Sequence, residues 1–522
     1  MIKRLICAFL VVALALSVCF VAKTTDDPDF AQSAADTGKE EDPEGAGAAL
    51  LADDGSITLW YCDDALTDYL SSVALSFQQD QGVKVNIVQK DGVEFLETIN
   101  KVSLEDAKDR TEPLPDLYIT SHDNLLRAYL SGLASIITDP SGVVVPEMYP
   151  QTALNAVTCY DHLVGYPFYY ETNFFLYNKT YMASIAQNRI EAEADMEEGE
   201  AATKDLEENG APTDSDEESQ QDADEGAIED ENPMGEEDST ADQAVLERLA
   251  TMIPSTMEDV KTFANNYDAP EAVESVFKWD VTDIFYNYFF VGNYMDVGGE
   301  HGDNAAIFNI YNKQAVECLS AYQAMNQFFS IDPKVDDYDH ILQDFIDGKM
   351  VFTVATTDAI AKIHQAQKDG NFDFEYGVSV LPDISSLLKA RGLSVTDAVA
   401  INGYSLKKDE ANRLATYIAN YKASDLYMKS GKVSCSKSVE YEDAEIANVM
   451  NEYEKSMPLP KMVEASNYWV QLEIEFTKVW NGADPDETLR ELSDTIGAQI
   501  EKIKANLPTQ ESFSAGGGKF VE

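Results

Sequence analysis

The 522-residue chain has little positive charge and few cysteines or histidines. It carries 37 Lys and Arg residues against 94 Asp and Glu residues, which gives a formal net charge of -57. A chain this acidic repels phosphate backbones, so the composition argues against nucleic-acid binding. The six cysteines form no Cys-x-x-Cys pair, and their wide spacing shows neither a zinc signature nor a dense disulfide framework. We therefore predict no metal site and no cofactor.

Motifs of common enzymes are also lacking. The sequence contains no Gly-x-Ser-x-Gly elbow, no His-Glu-x-x-His and no phosphate-cradling glycine loop. Ser121, His122 and Asp123 are neighbours in the chain, so their side chains point apart and cannot form a catalytic triad. Paired acids in a cleft could hydrolyse a glycosidic bond, but no other feature supports that chemistry. The sequence predicts a protein that binds rather than catalyses.

The N-terminus resembles an export signal. Residues 1–22 place two basic residues before an apolar run, which is the layout of a secretory signal. Within it, Leu16-Ser17-Val18-Cys19 resembles a bacterial lipobox, with Cys19 as the expected lipidation site. Val18 departs from the small residue usual before the Cys, so an uncleaved membrane anchor is the alternative. Either reading tethers the protein outside the cytoplasm, and the acidic residues 23–56 read as a flexible spacer.

Hydrophobic periodicity predicts an α/β protein. Strand patterns alternate with a helical pattern that runs from Leu66 to Phe77, as in a parallel sheet wrapped by helices. Ligands of such sheets sit beyond the carboxyl ends of the strands. A helix is expected after Asp484, which is followed by Pro485 and by Glu487. The predicted strands are 57–60, 83–87 and 115–119.

One segment breaks this alternation. Between Glu191 and Asp242 there are 23 Asp or Glu residues against the single Lys204. Such self-repulsion without apolar periodicity indicates a disordered acidic insertion, which we assign to residues 186–243. Calcium binding is the alternative, but the ligand spacing of an EF-hand loop is not met. Residues 509–522 read as a frayed tail.

Several short blocks occur in order along most of the folded chain. They resemble the maltose-binding branch of the extracellular solute-binding proteins that serve ABC importers. Their order over roughly residues 57–503 makes a chance match improbable. The blocks are Leu59-Trp60, Pro115-Asp116-Leu117-Tyr118, Ser121-His122-Asp123, Gly165-Tyr166-Pro167, Glu171, Tyr177-Asn178-Lys179, Phe345-Ile346-Asp347-Gly348-Lys349-Met350, Tyr376-Gly377-Val378-Ser379-Val380-Leu381-Pro382 and Asn467-Tyr468-Trp469.

The resemblance implies a two-lobed periplasmic-binding-protein-like fold with a ligand cleft between the lobes. Hinge crossings are expected near residues 166–173, 398–404 and 439–447. Lobe 1 would comprise residues 57–168 and 402–442, and lobe 2 residues 169–401 and 443–508. The implied partners are a small-molecule ligand, most simply a sugar, and the ABC permease subunits, with the binding protein acting as a monomer. A surface sensor or adhesin with the same fold is the competing function.

Sugar recognition needs polar side chains for the hydroxyls and an aromatic face for the ring. Acids at predicted strand ends and on the first crossing segment supply the polar groups, and the resemblance places Trp469 where the family has a stacking tryptophan. Asp63 and Asp64 could instead cap a helix, and Trp469 could pack in the core. The expected ligand-binding residues are Asp63, Asp64, Asp123, Tyr170, Glu171, Asp280, Asp358 and Trp469.

Three positions depart from the family pattern. Thr120 and Asp358 stand where maltose binders have stacking tryptophans, and Glu473 replaces a basic residue near the pocket. A more acidic and less aromatic cleft favours a smaller sugar, an amino sugar or a cationic solute. The sequence does not decide among these three.

Overall fold

The computed structural model describes residues 55–106, 109–209, 237–465 and 467–506. Strands and helices alternate through these ranges. The strands are β1 (Ile57–Tyr61), β2 (Val85–Gln89), β3 (Leu117–Ser121), β4 (Thr158–Cys159), β5 (His162–Leu163), β6 (Tyr166–Asn178), β7 (Ser275–Lys278), β8 (Asp296–Val297), β9 (Phe308–Asn309), β10 (Met350–Thr356), β11 (Tyr376–Ser379), β12 (Leu393–Ile401), β13 (Val433–Ser434) and β14 (Met457–Pro458).

The helices account for most of the remaining described chain. A π-helical turn at Tyr417–Tyr421 separates two of them. The α-helices are α1 (Thr67–Gln81), α2 (Phe95–Leu104), α3 (Leu125–Leu130), α4 (Gln151–Val157), α5 (Lys179–Asn209), α6 (Glu237–Met252), α7 (Met257–Asn266), α8 (Ile284–Asn287), α9 (Lys313–Phe328), α10 (Tyr338–Ile346), α11 (Asp358–Lys368), α12 (Lys408–Thr416), α13 (Ala423–Ser430), α14 (Ala444–Lys455), α15 (Tyr468–Trp480) and α16 (Pro485–Asn506).

The sheet divides into two parts that share the long strand β6. In the first part β2, β1 and β3 run parallel, and β12 lies antiparallel between β3 and β6. In the second part, residues 173–178 of β6 pair antiparallel with β10 and β11, and β10 pairs parallel with β7. The strand therefore leaves one part of the sheet and enters the other without a break. The α/β prediction is confirmed.

The opening βαβ unit follows from the sequence pattern. Every residue of β1 is buried, and α1 buries Tyr69, Leu70, Val73 and Phe77 on one face. Gly82 ends α1 with a positive φ of 71°, a left-handed conformation that glycine adopts without strain. At the other end of the chain, α16 starts at Pro485 as predicted and buries Leu489, Leu492, Ile496 and Ile500.

The acidic insertion differs from the expectation of disorder at both of its ends. Helix α5 extends through Asn209, and helix α6 begins at Glu237. The two helices pack together, and Arg248 forms an ion pair with Glu193. Contact between the helices and good intrinsic helix formers such as Ala and Glu offset the charge repulsion that the composition suggested. Residues 210–236 lie outside the described residues, as do the segments assigned to the signal, the spacer and the tail.

Two smaller observations complete the fold. The four cysteines in the described ranges, Cys62, Cys159, Cys318 and Cys435, are free thiols. None of the described helices combines the length and the apolarity needed to span a bilayer.

Candidate ligand-binding cavity

A cavity of about 410 Å³ lies beyond the carboxyl ends of β1 and β3. Asp63 enters it two residues after β1, and Asp123 enters it two residues after β3. The facing wall comes from the chain around residues 460–465 and from Trp469 near the start of α15. Its position agrees with the rule that ligands of α/β sheets bind at the carboxyl edge. Its volume falls within the range of small-molecule sites.

Strand register brings an acid to the floor of this cavity. Asp397 on β12 lies directly between Ser121 of β3 and Tyr169 of β6. The register shifts after Asp397, because Ala398 pairs with Pro167 and the pairing skips Phe168 of β6. Because side chains alternate along a strand, Asp397 points away from the buried Thr396 and lines the cavity with Tyr169. Burial, and next the charge of Asp397, raise the pKa of the Tyr169 hydroxyl well above its ordinary value.

The same face of the sheet carries a charged cluster. Glu171 lies two residues beyond Tyr169 on β6 and so shares its face. Lys432 precedes β13, which pairs with β6 at Tyr169 and Tyr170. Its ammonium lies 2.8 Å from Asp63 and 5.2 Å from the centre of the Tyr169 ring. Lys432 thus holds acid and aromatic groups together on one side of the cavity.

The electrostatics of this cluster are dominated by acids. Burial raises the pKa of the Asp397 carboxyl to about 7. Its carboxylate neighbours Glu171, Asp123 and Asp63 raise the pKa further, and the ammonium of Lys432 opposes them. For Lys432 burial acts to lower the pKa, but the surrounding carboxylates prevail and raise it. The cluster therefore holds Lys432 firmly charged and makes ionisation of Asp397 costly.

His122 is a structural residue beside the cavity. Its Nδ1 accepts a hydrogen bond from the Thr396 backbone N–H at 3.0 Å, and its Nε2 donates to the Leu459 carbonyl at 3.0 Å. Burial lowers the pKa of His122 to about 4, so the ring is neutral and this pattern fixes its tautomer. The imidazole fastens β12 to the segment that forms the facing wall.

Lys461 is a buried cation on that wall. Its side chain is 2% exposed, and its ammonium donates to the Asn155 carbonyl at 2.8 Å. Burial lowers the pKa of Lys461 to about 8, although Cys159, Asp303 and Asp123 act in the opposite direction. Because this pKa is still above neutral pH, Lys461 supplies a second positive charge to the lining of the cavity.

Trp469 gives the cavity a flat apolar surface. Its ring meets Tyr288 edge-on at 5.3 Å and Tyr468 at 4.9 Å between ring centres. Trp60, Trp279 and Trp480 are at most 3% exposed, whereas Trp469 is partly exposed and lines the cavity. Among the four tryptophans, Trp469 is thus the one placed to touch a ligand.

The structure brings only some of the predicted ligand residues together. Asp63, Asp123 and Trp469 line the cavity. Glu171 does not line it, but its carboxylate acts electrostatically on Asp397 and Lys432. Asp63 also accepts a hydrogen bond from the Ala65 N–H, so it combines the capping role with a place in the cavity. Asp63 and Asp123 reach the cavity because each follows the carboxyl end of a parallel strand, which is the reason they were predicted.

The other four predicted residues lie away from the cavity. Asp64 lines a separate shallow groove beside residues 428–431. Tyr170 is buried on the opposite face of β6 and stacks on Tyr453 at 3.8 Å between ring centres.

Asp280 and Asp358 have structural partners instead. The Asp280 carboxylate accepts from the Thr282 N–H at 2.8 Å and from the Tyr338 N–H at 3.1 Å. Asp358 accepts from the Tyr338 hydroxyl at 2.9 Å and pairs with Lys362 at 3.1 Å. Asp280 therefore fixes the start of α10, and Asp358 joins α11 to α10.

The positions that depart from the family pattern have different surroundings. Thr120 lines the cavity, but its side chain is much smaller than the tryptophan that maltose binders have at this position. Glu473 lies on α15 and accepts from the Ile284 N–H at 3.3 Å. Burial raises the pKa of Glu473 to about 6.

Sequence reasoning missed Asp397, Tyr169, Lys432 and Lys461. A signal existed for Asp397, because it is the one charged residue in the β12 sequence Leu-Ser-Val-Thr-Asp-Ala-Val-Ala-Ile. An acid inside a strand that is otherwise apolar or hydroxylic needs a special environment. Lys432 carried no comparable signal, since its neighbours come from distant parts of the chain.

Comparisons with known proteins agree with this arrangement. The family model described as bacterial extracellular solute-binding protein matches residues 73–449. No curated protein sequence matches the chain significantly.

Solved structures show the same fold at low identity. An extracellular solute-binding protein from Staphylococcus aureus in complex with maltose is 18% identical, with a TM-score of 0.61, and the match covers 86% of this chain and 98% of that one. A maltose-binding periplasmic protein from Listeria monocytogenes in complex with maltose is also 18% identical, with a TM-score of 0.61 and coverage of 88% and 100%. A maltotriose-binding protein from Thermus thermophilus, bound to maltotriose, is 16% identical, with a TM-score of 0.55 and coverage of 86% and 100%. The predicted two-lobed fold is thereby confirmed.

Proposed function

Because the chain belongs to the bacterial extracellular solute-binding proteins, we propose that it captures a carbohydrate outside the cytoplasm and delivers it unchanged to an ABC permease. The observation that carries this proposal is the cavity itself. Carboxylates from the first part of the sheet form one wall, and the Trp469 indole stands on the other. Carboxylates accept hydrogen bonds from sugar hydroxyls, and an indole covers the apolar C–H side of a sugar ring. The maltose and maltotriose complexes of the structural neighbours support the same ligand class.

The proposed mechanism is closure of two lobes on the solute. We keep residues 57–168 and 402–442 as lobe 1, and residues 169–401 and 443–508 as lobe 2. A ligand that touches both walls stabilises the closed form by its differential affinity for that form. The closed surface is then what the permease recognises. Strands β6 and β12, which pair along residues 166–172, are the natural hinge segments.

Membrane attachment belongs to the same proposal. Lipidation at Cys19 would anchor the protein on the outer side of the membrane, with residues 23–56 as the spacer. We propose that the protein acts as a monomer beside its permease. Mass spectrometry of the membrane-bound protein tests the anchor, because a diacylated N-terminal Cys19 has a mass that an uncleaved signal does not.

Ligand identity can be tested by intrinsic fluorescence. Three of the four tryptophans are buried, so a ligand that enters the cavity changes the emission and acrylamide quenching of Trp469 alone. We expect a panel of mono- and oligosaccharides to include a compound that shifts the emission with saturation and raises the melting temperature. The Trp469→Phe variant should lose the emission change but keep the thermal shift. Absence of any carbohydrate response, together with a clear response to an amino acid or peptide, would refute the proposed ligand class.

A further inference from the structure

The charge balance around the cavity floor is unusual for a site that binds only neutral hydroxyls. The carboxylates of Asp63, Asp123 and Glu171 all act on Asp397, and the ammonium of Lys432 lies 2.8 Å from Asp63. Lys461 adds a second positive charge to the lining, and its ammonium donates to the Asn155 carbonyl at 2.8 Å. The cavity lining also holds Glu94, Glu97 and Arg127, and Arg127 pairs with Glu97 at 3.8 Å. Acids therefore outnumber cations around the cavity.

A cluster of this kind is costly for the folded protein. Carboxylates that share a partly buried space repel one another, and the protein must either protonate one of them or supply a cation. Lys432 is already engaged with Asp63 at 2.8 Å and with the Tyr169 ring. Among these carboxylates, Asp397 is the one whose ionised form is destabilised by burial and by its acidic neighbours. A cation beside Asp397 would remove this cost.

Backbone geometry holds Asp397 in that position. It sits on a central strand with partners on both sides, Ser121 and Tyr169, so it cannot swing away from the cavity. Its neighbour Thr396 is fixed by hydrogen bonds to His122 and to Tyr453. Because side chains alternate along β12, the Asp397 side chain lies on the cavity face, opposite to Thr396. The group is therefore preorganised to receive a ligand atom.

The remaining walls define the shape of that ligand. Trp469 offers a flat apolar surface for a ring, and Asp63 and Asp123 offer hydrogen-bond acceptors at the strand ends. A ligand that satisfies all of these groups has a ring, several hydroxyls and a positive charge. We propose that the cognate solute is an amino sugar, or an oligosaccharide that contains one, with its protonated amine against Asp397. This inference rests on the proposed carbohydrate-binding function.

The test compares ligands that differ in the amine. Isothermal titration calorimetry would measure binding of the glucosamine trimer, the N-acetylglucosamine trimer and maltotriose to the mature protein. We expect the glucosamine trimer to bind at least about tenfold more tightly than the two neutral trimers, because only it supplies a charge-assisted hydrogen bond to Asp397. Ionic strength should weaken the amine ligand more than the neutral ones.

Two variants locate the effect. Asp397→Asn keeps the shape of the side chain but removes its charge. It should weaken the glucosamine trimer by about tenfold or more and the neutral trimers clearly less, so that the preference for the amine ligand is lost. Asp373→Asn is the matched control, since Asp373 is exposed and does not line the cavity. It should leave all three affinities unchanged. The melting temperature of each variant checks that the fold is intact.

The outcomes separate this inference from the proposed function. If neutral trimers bind as tightly as the glucosamine trimer and Asp397→Asn changes neither, the amine subsite is refuted while carbohydrate binding stands. If an acyclic diamine or Ca²⁺ binds with dependence on Asp397 and no sugar binds, the carbohydrate function itself is refuted. Selective loss of the amine ligand in Asp397→Asn supports both.

Discussion

Replacing Trp469 by Ala should weaken ligand binding without unfolding the protein. The indole lines the cavity together with Met462 and Ala465. Its edge-on contacts with the rings of Tyr288 and Tyr468 fix its orientation. A sugar ring that covers about 100 Å² of apolar surface contributes about 2.5 kcal/mol at ~25 cal/mol/Å². This corresponds to a loss of roughly 70-fold in affinity. Calorimetry with the ligand found by the fluorescence screen would measure it.

A second tryptophan supplies the control for this experiment. Trp480, on the same helix, is 3% exposed and packs against Trp279 and Tyr322. Trp480→Ala should therefore cost about 3–5 kcal/mol of unfolding free energy, as large core truncations do. Trp469→Ala should shift the melting temperature far less, because its ring is only partly buried. Unchanged affinity in a folded Trp469→Ala protein would remove the indole from the binding site and refute the assignment of the facing wall.

Three further predictions address the rest of the chain. Tyr170→Phe should leave ligand affinity unchanged and stabilise the fold by about 1 kcal/mol, because the Tyr170 hydroxyl is buried with no hydrogen-bond partner among the described residues. Weaker ligand binding by this variant would show that Tyr170 contacts the ligand. Burial raises the pKa of Glu452 from 4.5 to about 7, although a hydrogen bond from the Leu381 N–H opposes this. The folded protein then binds the proton more tightly than the unfolded chain, so stability falls as pH rises from about 4.5 to 7, by about 3 kcal/mol from this group. Glu452→Gln should flatten the dependence of melting temperature on pH across this window, and an unaltered slope would show that Glu452 is not its source. Replacing residues 210–236 by a short Gly-Ser linker should leave affinity unchanged, since neither flanking helix lines the cavity; a large loss would show that the acidic segment takes part in binding.

Much of the fold could be predicted because the local signals were consistent. The α1 sequence has apolar residues at helical spacing, and β1 is a short apolar run that is buried throughout. The third strand was predicted two residues early, at 115–119, because Pro115 and Asp116 resemble the start of the strand but precede it. The carboxylate of Asp116 instead accepts a hydrogen bond from the Thr58 N–H at 2.9 Å.

The candidate site was less predictable because it depends on pairing between distant strands. Tyr170 and Glu171 are consecutive on a strand, so they cannot both face the cavity. The structure turns Tyr169 and Glu171 to one face and Tyr170 to the other. Asp397 joins them only through the register of β12 with β3 and β6, which no local pattern reveals. Asp63 and Asp123 could be predicted because a strand end marks the edge of the sheet.

The position of β12 has a consequence for the order of folding. This strand lies between β3 and β6, so the first part of the sheet cannot be completed until residue 401 is available. A chain that crosses a membrane from its N-terminus would emerge with β1, β2 and β3 lacking the partner that joins them to β6. Pairing across such long sequence separations is slow, because chain entropy must be lost before the contacts form. We therefore expect the first part of the sheet to form late in folding, once residues 393–401 have joined β3 to β6.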